Sequence, residues 1–195
     1  MKTDIVLAGV GGQGILSIAT ILGTAALAGN LYIKQAEVHG MSQRGGDVQS
    51  NLRLSSNPIA SDLIPRGAAD LIISLEPMEA LRYVSYLAPS GWIVTNTTPF
   101  VNIPNYPELD AVMDELKRHP NVVSIDVDAI AKEVASARAS NMVLLGAASP
   151  FIEIDAKAIE EAIAAIFGAK GADIVEMNIK AFRAGRDYAL RSSAK

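Results

Sequence analysis

The sequence predicts an α/β protein, a three-layer α/β/α sandwich on a mostly parallel mixed sheet. Three observations lead there. The chain opens on a short apolar run, IVLAG, that ends in glycines and passes straight into an amphipathic stretch. Further short apolar runs, ADLIISL and GWIVTN, alternate with helical periodicities. The composition is half hydrophobic but only 5% aromatic, which suits helices packed on a parallel sheet.

Asp4 to Gly9 reads as a buried strand. Gln13 to Ala28 reads as a helix with Ile15, Ile18, Ala19, Leu22 and Ala26 on one face. Gly29-Asn30 ends it as a left-handed stop. Leu31 to Val38 is a second strand. From Val48 to Leu54 the chain alternates: Val48, Ser50, Leu52 and Leu54 point one way, and Gln49, Asn51 and Arg53 the other, as in a half-exposed strand. Ser55 to Pro65 is a loop, and Ala69 to Leu75 a buried strand. Pro77 suits the first position of a helix reaching about Leu87. Gly91 to Asn96 is a strand, and the prolines between Thr97 and Pro107 make an extended loop. Glu108 to Arg118 reads as a helix and Val122 to Val127 as a strand. Asp128 is placed to cap a helix from Ala129 to Ala137. Asn141 to Ala148, Ile159 to Phe167 and Ala172 to Leu190 are the remaining helices. Ile174, Met177, Phe182, Gly185 and Tyr188 share a face of the last one, a packing face. No repeat or linker interrupts the chain, so residues 1–195 are expected to form one domain.

The net charge of −4, with no basic run, disfavours a nucleic-acid partner. The absence of cysteine excludes thiol catalysis, disulfides and iron–sulfur ligation by this chain. Of the two histidines, His39 and His119 lie far apart, so no metal site of the usual spacing is expected. The start, MKTDIVLAG, lacks the pattern of a signal peptide. The most apolar stretch, Ile15 to Leu31, is interrupted by Ser17, Thr20, Gly23 and Thr24 and reads as a buried helix rather than a membrane span. A cytoplasmic protein without membrane contact is expected.

Gly9, Gly11 and Gly14 match G-x-G-x-x-G directly after a strand and at the opening of a helix, a Rossmann-like arrangement. Such glycines allow a tight turn and close approach, with free N–H groups and the helix dipole facing an anion. Gly12 and Gln13 complete the turn, and Gln13 adds a neutral donor and acceptor. The same glycines also serve close packing of helix on sheet. Glu37 stands about 20 residues beyond Gly14, where a dinucleotide-binding fold places its ribose-binding carboxylate.

Residues 38 to 47 argue the other way. They are all that separates Glu37 from the next strand, whereas a crossover with its helix needs at least about 10–12 residues and no cluster of glycines. An antiparallel neighbour is expected instead, which leaves the second mononucleotide-binding unit incomplete. The loop is dense in functional groups. His39, Ser42, Gln43 and Arg44 sit among Gly40, Gly45 and Gly46. Arg44 can hold a phosphate or carboxylate in a bidentate fork, and His39 can donate to a ligand or titrate near neutrality. These two are the candidate catalytic residues. An ion pair between Glu37 and Arg44, with His39 closing a strand end, is the structural alternative. Asn96 and Thr97 follow the GWIVTN strand and are candidates for the same crevice, since ligands in open α/β sheets bind beyond strand carboxyl ends. Turn formation before Pro99 accounts for them equally well.

GVGGQG, EVHGMSQRGG, ADLIISLEPMEALR and AFRAGRDYA, taken in order, resemble the gamma-type domain of 2-oxoacid:ferredoxin oxidoreductases across essentially the whole chain. The HGMSQRGG form is most similar to that of the indolepyruvate-type beta subunit. The resemblance implies an enzyme that oxidatively decarboxylates an aryl 2-oxoacid, forms an aryl-acetyl-CoA and reduces ferredoxin. It implies a larger partner subunit holding thiamine diphosphate, its Mg and the iron–sulfur clusters. This chain lacks both cysteines and the Gly-Asp-Gly…Asn-Asn pattern for thiamine diphosphate, in keeping with that division. Its role is then to complete the substrate and CoA site. Gly9, Gly11, Gly12, Gln13 and Gly14 are the candidates for CoA phosphates. Glu37, Ser42, Gln43, Arg44, Gly45, Gly46, Asn96 and Thr97 are further binding candidates. Two other readings stay open: an NAD(P)-binding dehydrogenase domain using Gly9–Gly14 and Glu37, and a non-catalytic interaction module.

Overall fold

The computed structural model describes residues 1–39 and 45–193, and the side chains of His39 and Ser193 lie outside that description. The candidates Ser42, Gln43 and Arg44 therefore lie outside the described residues.

The elements run β1 (Lys2–Val10), α1 (Ile15–Ala28), β2 (Tyr32–His39), β3 (Asp47–Ser55), β4 (Ala69–Ser74), α2 (Pro77–Arg82), β5 (Leu87–Asn96), α3 (Leu109–Lys117), β6 (Val122–Ile125), α4 (Val127–Val134), α5 (Ser140–Ala148), α6 (Ala156–Phe167) and α7 (Ala172–Ser193). One 6-stranded sheet has the order β2-β3-β1-β4-β5-β6. β1, β4, β5 and β6 pair in parallel. β3 is antiparallel to β1 on one side and to β2 on the other. The mixed sheet and the antiparallel neighbour are as expected.

Side chains alternate across β1, and so do the two apolar layers. Ile5 and Leu7 face α1, α5, α6 and α7, in a core with Leu22, Val143, Ile159 and Phe182. Val6 and Ala8 face α2 and α3, with Ala80, Val112 and Leu116. Helices therefore cover both faces, which gives the three layers.

Several boundaries differ from the sequence reading, each for a physical reason. The first helix starts at Ile15, because Gly14 is left-handed, with φ of 84°. At its end it is Asn30, not Gly29, that takes the left-handed conformation, with φ of 57°. Leu31 N–H then reaches Ala26 O at 2.9 Å and Asn30 N–H reaches Leu27 O at 3.0 Å, a Schellman closure. The helix from Pro77 ends at Arg82. A short 3₁₀ turn follows, so β5 begins at Leu87 rather than Gly91. The cap of α4 is Asp126, whose carboxylate accepts from Ala129 N–H at 2.9 Å, and this frees Asp128 for another task.

β3 is less exposed than its alternation implied. Arg53 sends Nε and Nη2 to the buried Asp4 carboxylate at 2.8 and 3.0 Å, and Nη1 to the carbonyls of Ser61 and Leu63. Asn51 accepts from Ile64 N–H at 3.3 Å. The loop over residues 56–65 thus covers the face that a helix would otherwise cover. Among the described residues, no helix is long and apolar enough to cross a membrane.

The helices α5 and α7 cross through two glycines. A Cβ built at Gly146 would lie 1.8 Å from the carbonyl oxygen of Phe182, and one at Gly185 would lie 1.9 Å from that of Val143. Backbone against backbone leaves no soft side chain to move aside. Gly146→Ala or Gly185→Ala is expected to cost about 3 kcal/mol, the upper end for overpacked cores. Equilibrium urea unfolding checks it through a lowered midpoint with an unchanged slope.

Candidate functional site

The site forms at the carboxyl ends of the parallel strands. After β1 the chain turns through Gly11–Gly14, and Gln13 holds the turn. Its Oε1 accepts from Val10 N–H at 2.8 Å, and its Nε2 donates to Leu75 O at 3.2 Å. Leu75 O also receives Asn96 Nδ2 at 3.4 Å, so β1, β4 and β5 are tied at one carbonyl.

A cleft of about 420 Å³ opens beside this turn, lined among others by Gly12, Gln13, Asp128, Arg138, Ser140 and Asn141. The N-termini of α1, α4 and α5 all contribute lining residues, and of these the first N–H groups of α4 are already taken by Asn96 and Asp126. Arg138 adds an exposed guanidinium. Asp128 is the counter-charge. Its Oδ1 accepts from Ser140 Oγ at 2.7 Å and its Oδ2 from Asn96 Nδ2 at 3.2 Å. Asn141 Nδ2 donates to Gly14 O at 3.3 Å, which fixes α5 against the glycine turn.

A Cβ at Gly12 would meet nothing within 4 Å. The backbone there is open to a ligand, and Gly12 also lines a second cleft of about 290 Å³ with Ile15, Leu16 and Val48. Among the described residues, no backbone carbonyl receives the N–H of Gly12, Gly14 or Ile15. These are the free donors a helix start offers to an anion.

The other sequence candidates are placed as follows. Gly9 is buried against Leu75 and Gln13, and so serves packing. Gly11 joins the second loop: its N–H donates to Gly46 O at 2.8 Å and its carbonyl accepts from Gly45 N–H at 3.4 Å. Asn96 lines the cleft, but its amide is committed. Oδ1 accepts from Thr98 and Val127 N–H, and Nδ2 is shared among Leu75, Thr98 and Asp128. Thr97 is fastened by its N–H to Ile125 O and does not line the cleft. Glu37 pairs with Ser50, which pairs with Leu7, so it stands two strand spacings from β1, about 9–10 Å. Its Oε1 accepts from Gln35 Nε2 at 2.6 Å. A ribose-binding carboxylate belongs on the strand next to β1; here β3 occupies that place. The strand order thus removes the geometric basis of the dehydrogenase reading. Asp128 and Arg138 carry the site's charge, Ser140 is bonded to Asp128, and none of the three was singled out for the site in the sequence. No motif marks them, and they meet the glycine turn only through the packing of α4 and α5.

A carboxylate network lies at the start of α2. Glu76 is 1% exposed. It caps α2 through Glu79 N–H at 2.8 Å and accepts from Phe100 N–H at 3.3 Å and from the Tyr106 hydroxyl. Tyr83 donates to Asp47 at 3.0 Å, and Arg82 pairs with Glu79 at 2.7 Å. Burial raises the Glu79 carboxyl pKa above its ordinary value, with the Arg82 pair opposing.

The sequence matches the family described as Pyruvate ferredoxin/flavodoxin oxidoreductase over residues 4–188. The chain belongs to this family. The chain is 36% identical to the indolepyruvate oxidoreductase subunit IorB of Archaeoglobus fulgidus, over 97% of this chain and 96% of that one. A 2-oxoglutarate:ferredoxin oxidoreductase from Magnetococcus marinus, solved with 2-oxoglutarate, coenzyme A and succinyl-CoA bound, superposes with a TM-score of 0.77 at 23% identity. It covers 97% of this chain, which spans 31% of that longer one. The gamma subunit of a keto/oxoacid ferredoxin oxidoreductase from Geobacter sulfurreducens superposes at 0.70 with 24% identity, over 97% of this chain and 99% of that one. At these identities the two structures show the fold. The family resemblance carried by the motifs is therefore shown, as is the oxidoreductase class of the chain's homologues.

The tyrosines of the network yield a pH prediction. Burial, then the bonds to Asp47 and Glu76, raise the phenol pKa values of Tyr83 and Tyr106 above the ordinary 10.0. As pH rises through about 10, the unfolded chain releases phenol protons that the folded chain keeps. Stability contributed by these phenols is complete below that pH and is lost above it. Urea midpoints between about pH 9 and 11 are expected to fall more steeply for the wild type than for a Tyr83→Phe/Tyr106→Phe variant.

Proposed function

We propose that this chain is the cofactor-poor subunit of an indolepyruvate-type, aryl 2-oxoacid:ferredoxin oxidoreductase, with residues 1–195 forming one gamma-type domain that completes the substrate and CoA site. The carrying observation is the cleft that Arg138 and residues from the starts of α1, α4 and α5 line together with an open Gly12. CoA fits this donor set. Its phosphates are anionic, Gly12 leaves room for backbone contact, and the N–H groups of Gly12, Gly14 and Ile15 donate to no backbone carbonyl among the described residues. Arg138 pairs with a phosphate oxygen, while Asn141 and Gln13 keep the turn rigid. The bound CoA found in the Magnetococcus marinus neighbour accords with this reading, and the likeness to IorB with the aryl substrate class.

The chain does not fit the remaining groups of the reaction. Iron–sulfur clusters need thiolates and the chain has no cysteine, so a larger partner holds the clusters and, with them, thiamine diphosphate and Mg. In that complex the partner's thiamine diphosphate and clusters would supply decarboxylation and electron transfer to ferredoxin, while the cleft of this chain would hold the CoA whose thiol, on losing its proton, takes up the acyl group. Phe100, Val101 and Ile103 are 41%, 67% and 38% exposed on the loop after β5, an apolar patch suited to that partner. The assembly acts in the cytoplasm.

The test is assembly and kinetics together. A tagged chain should bring down a larger subunit carrying thiamine diphosphate and iron–sulfur clusters. In the assembled enzyme, Arg138→Ala should raise the KM for CoA about tenfold, the worth of one charge-assisted hydrogen bond, with the 2-oxoacid KM and the melting temperature unchanged. An unaltered CoA KM removes the cleft from the CoA site.

A further inference from the structure

The loop from Thr97 to Pro107 is more constrained than its prolines suggest. It begins under Asn96, whose amide brackets Thr98 through both its N–H and its carbonyl. Its middle is fixed by Phe100 N–H on Glu76, and its far end by the Tyr106 hydroxyl on the other side of the same Glu76 oxygen. Both contacts converge on Oε1 of a carboxylate whose second oxygen already caps α2. The loop is a strap pinned to the body of the protein at both ends.

Between the pins, the exposed Asn102 donates from Nδ2 to the carbonyl of Gly45. Gly45 and Gly46 are the last residues before β3 and exchange backbone hydrogen bonds with Gly11 of the first glycine turn. Gly45 has φ of 76°. Its peptide is held by no side chain of its own, so its orientation is set by what bonds it. Asp47, the next residue but one, is held by Tyr83. The stem of the second glycine loop is thus gripped by three independent elements: the β1 turn, α2's end and the strap.

We propose that Asn102 is a positioning residue. Carried on the strap that Glu76 anchors, it sets the orientation of the Gly45–Gly46 stem and, through Gly11, of the glycine turn that lines the cleft. The assignment rests on the reading of that cleft as the CoA site. Asn102 itself touches no substrate. It acts by holding the Gly45 peptide, and a carboxylate in its place has the same size but faces the Gly45 carbonyl with no donor.

The experiment compares Asn102→Asp with Asn105→Asp. The latter makes the same charge change in the same strap, at a side chain that makes no hydrogen bond among the described residues. In the full-length chain, amide exchange at Gly11 and Gly45 should quicken about two- to tenfold in Asn102→Asp, the worth of one hydrogen bond. Exchange within β1 and the melting temperature should be unchanged, and Asn105→Asp should exchange as the wild type. In the assembled enzyme, Asn102→Asp should raise the CoA KM by a similar factor with kcat retained. If exchange and KM both stay at wild-type values while Arg138→Ala does raise the CoA KM, the positioning role is overturned and the CoA reading stands. If exchange quickens but neither Asn102→Asp nor Arg138→Ala alters the CoA KM, Asn102 only stabilises the loop, and both proposals fall.

Discussion

The structure turns on the pairing of β3 with β1. Nine consecutive register pairs, from Lys2↔Ser55 to Val10↔Asp47, place an antiparallel strand where a dinucleotide-binding fold puts a parallel one. Everything on that side follows. β2 moves to the outer edge, Glu37 moves with it, and no second helix is needed between β2 and β3. The ladder also continues past its last strand residues, because Gly11 bonds Gly45 and Gly46. The glycine turn after β1 and the Gly45–Gly46 stem before β3 are thereby joined.

On the other side of β1 the fold manages its polar groups with few atoms. The Leu75 carbonyl receives both Gln13 and Asn96, and Asn96 in turn reaches β4's end, the strap and α4. Glu76 serves a helix cap and the strap together. Buried groups of this kind are costly unless satisfied, and among the described residues no buried side-chain polar atom lacks a partner. The cleft is therefore bounded by side chains whose positions are fixed from within, which leaves Arg138 and the glycine N–H groups free to meet a ligand.

What was legible in the sequence was what is local. The strands and helices announce themselves by periodicity, and the G-x-G-x-x-G turn by residues that sit side by side. The shortness of the connection from 38 to 47 correctly implied an antiparallel partner, because chain length alone forbids a crossover. What the sequence hid depends on distant neighbours. Asp128 looked like a cap, but Asp126 stands one turn position better and takes that role, and only the approach of α5 brings Ser140 to Asp128. Arg138 has no motif around it; it lines the same cleft as the glycine turn, against which Asn141 docks at Gly14. The second face of β3 looked exposed because a covering loop, unlike a helix, has no periodicity to read.

The contact of Gly146 with Phe182 and of Gly185 with Val143 has a consequence for the order of assembly. α5 supplies one wall of the cleft through Ser140 and Asn141, yet its opposite side is seated directly on α7. During synthesis the glycine turn and the strands emerge first, and the wall waits for a helix made much later. The crevice is finished only when the two glycine-notched backbones close on each other. Without α7, the helix that carries Ser140 and Asn141 would lose the backbone on which its Gly146 side is seated.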